Sequence, residues 1–186
     1  MILAFVGSGG KTTLLKKMAA EYRARGKNVF VTTTTHMFIE EDTLLTDDAD
    51  TIIRTLQDTG YAMAGIPEGI KIRALSKQTY ERVCGHADVV LVEADGSRHM
   101  PLKYPGKGEP VIPPNADEIL VVWGPHGLGK PAREACHRPE LAVQCLGIRE
   151  ETVITREHVR KLIREGYLLP LQKQYPHRKI TVYPPL

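Results

Sequence analysis

An α/β fold, a three-layer sandwich with a mostly parallel central sheet, is what this sequence predicts, and three observations predict it. Short apolar runs that read as buried strands alternate with amphipathic stretches of helical period. A glycine-rich turn joins the first such strand to the first helix, and threonines or acids gather where later strands end. With 186 residues, the chain is expected to form a single nucleotide-binding domain spanning 1–186, able to bury about two-thirds of its unfolded surface without disulfides.

The turn comes first in the chain. Residues 1–6 are apolar, and Gly7-Ser8-Gly9-Gly10-Lys11-Thr12-Thr13 follows, opening a helix. Backbone N–H groups can line a phosphate only where no Cβ intervenes and positive φ is cheap, which explains three glycines. The helix N-terminus adds partial positive charge. Lys11 is placed to reach β- and γ-phosphate oxygens, and the Thr12 hydroxyl to coordinate Mg²⁺. The full G-x-x-x-x-G-K-[ST] pattern would want glycine where Phe5 stands, so this is a shortened loop; the bland alternative is a plain glycine-rich βα turn. The phosphate reading makes the fold P-loop NTPase-like.

Leu14, Leu15, Met18, Ala19 and Tyr22 then recur at helical spacing until Gly26, a C′ residue. Residues 28–33 form the second strand of a βαβ unit, which implies parallel pairing. It empties into Thr32-Thr33-Thr34-Thr35-His36. Either these threonines reflect β-propensity alone, or Thr34, Thr35 and His36 face the Lys11 loop from a strand's carboxyl end and contact phosphate or Mg²⁺. A helix is predicted over 47–59, a hairpin over 61–75 around Pro67-Glu68-Gly69, and a helix over 76–84.

Residues 87–96 have a continuous apolar centre bounded by acids, the pattern of a central parallel strand. Glu93 and Asp95, two apart, share a face if the strand is still extended. Acids here hold Mg²⁺, directly or through water, or orient an attacking water; otherwise they are ordinary strand-end acids. The proline- and glycine-rich segment 96–118 is long for a loop, as lids and binding loops are. Its Arg98, His99 and Lys103 are candidates for holding an anionic second substrate, or are simple surface charge. A further strand is predicted over 119–123. Gly127-Leu128-Gly129-Lys130-Pro131 echoes the first loop but puts proline at the hydroxyl position. Helices led by Pro139 and capped by Thr155, and a last strand over 179–183, complete the chain.

The formal charge of +3, with both signs interspersed, argues against nucleic-acid partners and a polybasic membrane anchor. Apolar runs fall short of the ~20 residues of a membrane span, so no membrane partner is expected. The three cysteines, Cys84, Cys136 and Cys145, match no zinc or redox spacing, and point to reduced thiols and a cytoplasmic setting.

Assembled, these motifs resemble the YqeC family, accessory proteins associated with selenium-dependent molybdenum hydroxylases. The resemblance rests on the Gly7 to Thr13 loop, Val31 to Met37, Val92-Glu93-Ala94-Asp95-Gly96-Ser97, Pro101-Leu102-Lys103, Glu109-Pro110-Val111-Ile112-Pro113, and Leu128 to Pro131 with His137-Arg138-Pro139-Glu140. It implies binding of ATP or GTP in the maturation of a selenium-containing molybdenum cofactor, with a molybdenum hydroxylase or its maturation proteins as partners. Relatives of this type continue to an Asn-Lys-x-Asp-like segment that can read the base. Here Thr181-Val182-Tyr183-Pro184-Pro185-Leu186 stands instead, so the C-terminus is expected to be truncated or diverged.

The expected activity is Mg²⁺-dependent nucleotide hydrolysis or phosphoryl or nucleotidyl transfer. Gly7 to Thr13 hold the triphosphate, Lys11 neutralises developing charge, Thr12 with Glu93 or Asp95 fixes the metal, and the long loop presents the second substrate. Two alternatives stand beside it: a nucleotide-gated carrier with slow hydrolysis, and an ATP-dependent ligase, since the loop also resembles that of Mur-type ligases.

Overall fold

Val, Ile, Leu and Phe dominate the runs at 2–7, 29–33, 89–93 and 118–122, and all four segments are buried strands in the computed structural model, which describes residues 1–96 and 98–186. The chain is mixed α/β, and it divides into two units. The first comprises Met1–Ala4, Thr12–Ala94 and Val111–Asp117; the second, Phe5–Lys11, Asp95–Pro110 and Glu118–Leu186.

The first unit takes the opening residues of β1 (Ile2–Gly7), the body of α1 (Lys11–Ala24), β2 (Val29–Thr33), β3 (His36–Phe38), β4 (Thr43–Leu45), α2 (Ala49–Thr59), β5 (Tyr61–Glu68), β6 (Lys71–Arg73), α3 (Lys77–Cys84) and β7 (Val89–Glu93). Its strands run β1-β7-β2-β5-β6-β3, with β4 beside β5. The pairs β2–β7, β2–β5 and β4–β5 are parallel, and the hairpin partners β5–β6 and β3–β6 antiparallel. Register sets Thr33 opposite Glu93. The threonine run and the acidic strand end therefore meet.

Local chemistry explains the first unit's helices. Asp48 caps α2 by accepting from the Thr51 amide, and Gly60 ends it in the left-handed region at φ 72°. Its Ile52, Ile53 and Leu56 join Phe30, Val83, Val90 and Val92 in one buried cluster, each large aliphatic side chain contributing about 1.5–3 kcal/mol. The hairpin and both helices expected here are present; the three-residue strands β3 and β4 are additions, too short to carry a period.

The second unit holds residues 5–7 of β1, then β8 (Leu102–Lys103), β9 (Glu118–Val122), α4 (Ala132–Ala135), β10 (Cys136–His137), α5 (Pro139–Leu146), α6 (Arg156–Ile163), α7 (Leu169–Gln174) and β11 (Lys179–Tyr183). Here β9 lies between β1 and β11, with β9–β11 parallel, while β8 and β10 form a separate parallel pair. The segment expected as a long irregular loop thus contains a strand. A π-helical turn, Arg164–Leu168, links α6 to α7 and carries the buried Tyr167. Among the described residues, no helix is long and apolar enough to cross a membrane.

Candidate functional site

In the second unit, backbone packing dictates the glycines of the loop. A Cβ at Gly7 (φ +86°) would stand 2.2 Å from the Val122 carbonyl oxygen, and one at Gly9 (φ +74°) 2.4 Å from the Gly124 amide nitrogen and the Pro101 carbonyl oxygen. Only glycine fits either position. At Gly10 (φ +120°) a Cβ would meet nothing within 4 Å. That is the open side of the turn, where another molecule can approach the backbone.

Two loop amides are already committed. The Gly7 N–H donates to Asp95 Oδ2 at 3.1 Å and the Ser8 N–H to the Val122 carbonyl at 2.9 Å. Among the described residues, the amides of Gly9 and Gly10 donate to no protein group. The Ser8 hydroxyl is buried and likewise finds no partner among the described residues, a costly state that water or a ligand relieves. Lys11, 3 % exposed, donates from Nζ to the Gly7 carbonyl at 2.7 Å, bracing the loop it belongs to.

Asp95 departs from expectation. Strand β7 ends at Glu93, so the extended-strand argument for a shared face does not reach Asp95. Its fully buried carboxylate accepts from Gly7 N–H and Tyr167 Oη (2.9 Å) on Oδ2 and is ion-paired to Lys103 through Oδ1. These contacts tie the carboxylate to the loop through the Gly7 amide. Lys103 departs too. Its side chain is 0 % exposed, and Nζ donates to Asp95, to the Gly96 carbonyl at 2.6 Å and to Glu109 Oε2 at 2.8 Å. Three acceptors thus surround its three ammonium protons.

Glu109 is in turn gripped by both guanidinium nitrogens of Arg138, at 2.7 and 3.1 Å. Burial opposes ionisation of Glu109, but hydrogen bonds from Arg138, Lys103 and the Gly106 amide outweigh it and hold its pKa down to about 2. Burial, then the Asp95 charge, pushes the Tyr167 phenol well up, keeping it a donor. Arg98 and His99 are exposed, at φ 47° and 63°, and Ser97, between them and Asp95 in sequence, lies outside the described residues.

In the first unit Thr12 and Glu93 are in contact. The Thr12 hydroxyl, in the first turn of α1, donates to Glu93 Oε2 at 3.0 Å, and Glu93 is 7 % exposed. Two threonines at and just past the end of β2 buttress this acid: Thr33 Oγ1 donates to the Glu93 carbonyl at 2.7 Å, and the Thr34 amide donates to the same oxygen at 3.1 Å. Thr13 is exposed. The Thr34 hydroxyl donates to the Val111 carbonyl at 2.6 Å, and the Thr35 amide to Thr33 Oγ1 at 3.0 Å. His36 is turned to the hairpin, its Nε2 2.6 Å from Glu68 Oε2, because it starts β3 opposite Arg73. His36 thus belongs to the edge strand paired with β6.

Among the described residues no three His, Cys, Asp or Glu side chains form a metal cage. Mg²⁺ needs none, since it binds through one or two protein ligands together with phosphates and water. Tyr167 and Arg138, which complete the network around Asp95, carry no periodic or spacing signal; Glu109 lies in a recognisable motif, but its role does not follow from it.

The family described as "YqeC protein" matches residues 3–140. The chain is similar to "Uncharacterized protein YqeC" of Escherichia coli (strain K12), at 33 % identity over 175 residues, covering 88 % of this chain and 67 % of that protein. No solved structure matches.

Proposed function

We take as premise that the chain belongs to the YqeC family, and propose that it binds ATP or GTP with Mg²⁺ through a P-loop NTPase-type site and hydrolyses it or transfers a phosphoryl or nucleotidyl group. The observation that carries the reading is the 3.0 Å hydrogen bond between Thr12, at the head of the helix behind the glycine loop, and the strand-end acid Glu93. A hydroxyl and a carboxylate in contact, at that place in the sequence, are the protein ligands a magnesium ion needs beside phosphate oxygens.

The remaining roles follow from the same residues. The amides of Gly9 and Gly10, without an acceptor among the described residues, and those at the N-terminus of α1 donate to phosphate oxygens. Lys11 exchanges the Gly7 carbonyl for phosphate and holds its charge as it develops. Bound Mg²⁺ would supply charge neutralisation at the bridging phosphates. Asp95 touches no reacting atom in this scheme; it positions Gly7 and is held by Lys103 and Tyr167. A part in maturing a selenium-dependent molybdenum hydroxylase cofactor belongs to the proposal on the family resemblance alone.

Calorimetric titration of MgADP and MgGDP into the wild-type protein and Lys11→Ala is the test. The expected result is saturable binding by wild type, weakened about 10- to 100-fold in the variant, as loss of a charged hydrogen bond implies. Folded wild-type protein that binds neither nucleotide would overturn the reading.

A further inference from the structure

Within the second unit, the glycine loop rests on the segment that leaves β9. The Ser8 amide donates to the Val122 carbonyl at 2.9 Å, and the Gly124 amide to the Pro101 carbonyl at 2.8 Å. A Cβ at Gly9 would stand 2.4 Å from that same Pro101 oxygen and 2.5 Å from the Gly124 Cα. Backbone lies directly on backbone, so the loop and residues 122–124 pack as one piece. Trp123 pins that piece to the last strand, its amide donating to the Tyr183 carbonyl at 3.0 Å and its Nε1 to the Pro184 carbonyl at 2.7 Å.

His126 follows on a single 3-10 turn, Pro125–Gly127, closed by the Gly127 amide on the Gly124 carbonyl at 3.0 Å. The turn folds the imidazole back onto Gly124. A Cβ at residue 124 would lie 2.7 Å from His126 Cε1, 3.0 Å from His126 Nδ1 and 3.0 Å from the Gly9 Cα. One point in space is thus within 3.0 Å of both the ring and the loop backbone, and the two close on each other because residue 124 carries no side chain. Gly127 holds the turn against the same wall, where a Cβ would meet Pro101 Cβ at 3.0 Å.

The ring spends none of its polarity on the protein. His36, His86 and His158 each engage a neighbouring group through a ring nitrogen. The exposed His126 imidazole has no hydrogen-bond or ion-pair partner among the described residues. The Gly9 and Gly10 amides of the adjoining loop likewise have no acceptor among them, and the side of Gly10 is open. Donors gathered without acceptors suit an oxyanion, and an imidazole supplies one N–H when neutral and two when protonated.

We propose that His126 is a phosphate-binding residue of the glycine loop, its ring N–H donating to an oxygen of the phosphate group that the Gly9 and Gly10 amides hold. The class of ligand rests on the nucleotide reading above; the position of His126 against the loop does not.

Nuclear magnetic resonance titration with inorganic pyrophosphate tests it in wild type, Lys11→Ala, His126→Ala and His126→Gln, with sodium chloride at matched ionic strength as the control. In wild type, the Gly9 and Gly10 amides and the His126 ring protons should shift together along one saturation curve that chloride does not reproduce. His126→Ala, at an exposed position, should weaken pyrophosphate about 10-fold, the loss of one hydrogen bond to a charged group. His126→Gln keeps a neutral donor and should fall between the two. If the loop amides saturate while the His126 ring stays unmoved, or if His126→Ala binds as tightly as wild type, this inference alone fails and the loop reading stands. Ring shifts without loop shifts, undiminished in Lys11→Ala, would place the anion elsewhere and overturn it. Folded wild-type protein in which neither responds overturns both.

Discussion

Glu93 and Asp95 stand one alanine apart and are equivalent by every criterion of pattern, yet the fold gives them different neighbours. Glu93 ends a strand, meets the hydroxyl of Thr12, and is steadied through its backbone by Thr33 and Thr34. Asp95 lies past the strand, fully enclosed, with Lys103, Tyr167 and the Gly7 amide on its oxygens. Glu93 accepts from a neutral hydroxyl at a strand end, whereas Asp95 is locked to an ammonium in the interior, and parting that pair would leave a buried charge unpaired. The difference teaches that acids two residues apart in one motif can have unlike surroundings that their spacing does not separate.

The comparison breaks most visibly in stability. Lys103→Met leaves Asp95 buried without its cation, and chemical denaturation should show a loss of about 3–5 kcal/mol; a loss below about 1 kcal/mol would mean that the network is not structural. Tyr167→Phe removes one buried hydrogen bond to Asp95 and should cost about 1–3 kcal/mol, since the acceptor is charged. Glu93→Gln should leave denaturation nearly unchanged but reduce Mg²⁺ enhancement of nucleotide binding about 10- to 100-fold, measured by calorimetry.

A pH experiment separates the regions further. Glu109 is held at about 2 against an ordinary 4.5, so the folded protein takes up its proton less readily than the unfolded chain. Its contribution to stability is fully present above about pH 4.5 and is lost as pH falls toward about 2. Glu109→Gln should flatten the stability profile in that window, and an unchanged slope would remove Glu109 from the network. The smallest effect is expected at His36, where His36→Ala breaks a half-exposed pair with Glu68 and should shift stability by no more than about 0.5 kcal/mol.

Much of the scaffold is legible in sequence because local rules and packing agree there. The strand into Gly7, the helix ended by Gly60, the hairpin around Pro67-Glu68-Gly69 and the buried run before Glu93 each follow from period, propensity and turn chemistry. The sequence also brings Thr12 toward Glu93 or Asp95, and the choice of Glu93 is made by the fold. The network around Asp95 is not legible. Lys103 sits in a proline- and glycine-rich segment that reads as exposed, and only the convergence of Asp95, Gly96 and Glu109 makes its burial tolerable. Tyr167 comes from a π-helical turn 72 residues beyond Asp95, a separation that no periodicity encodes. The short strands β3, β4 and β8 exist by pairing, not by propensity.

The most direct measurement is the Mg²⁺ dependence of ADP affinity, titrated in parallel for wild type, Glu93→Gln and Asp95→Asn. The account predicts that Mg²⁺ strengthens ADP binding in wild type and in folded Asp95→Asn, while Glu93→Gln binds ADP with little regard to the metal. A metal dependence that survives in Glu93→Gln and disappears in Asp95→Asn would contradict it.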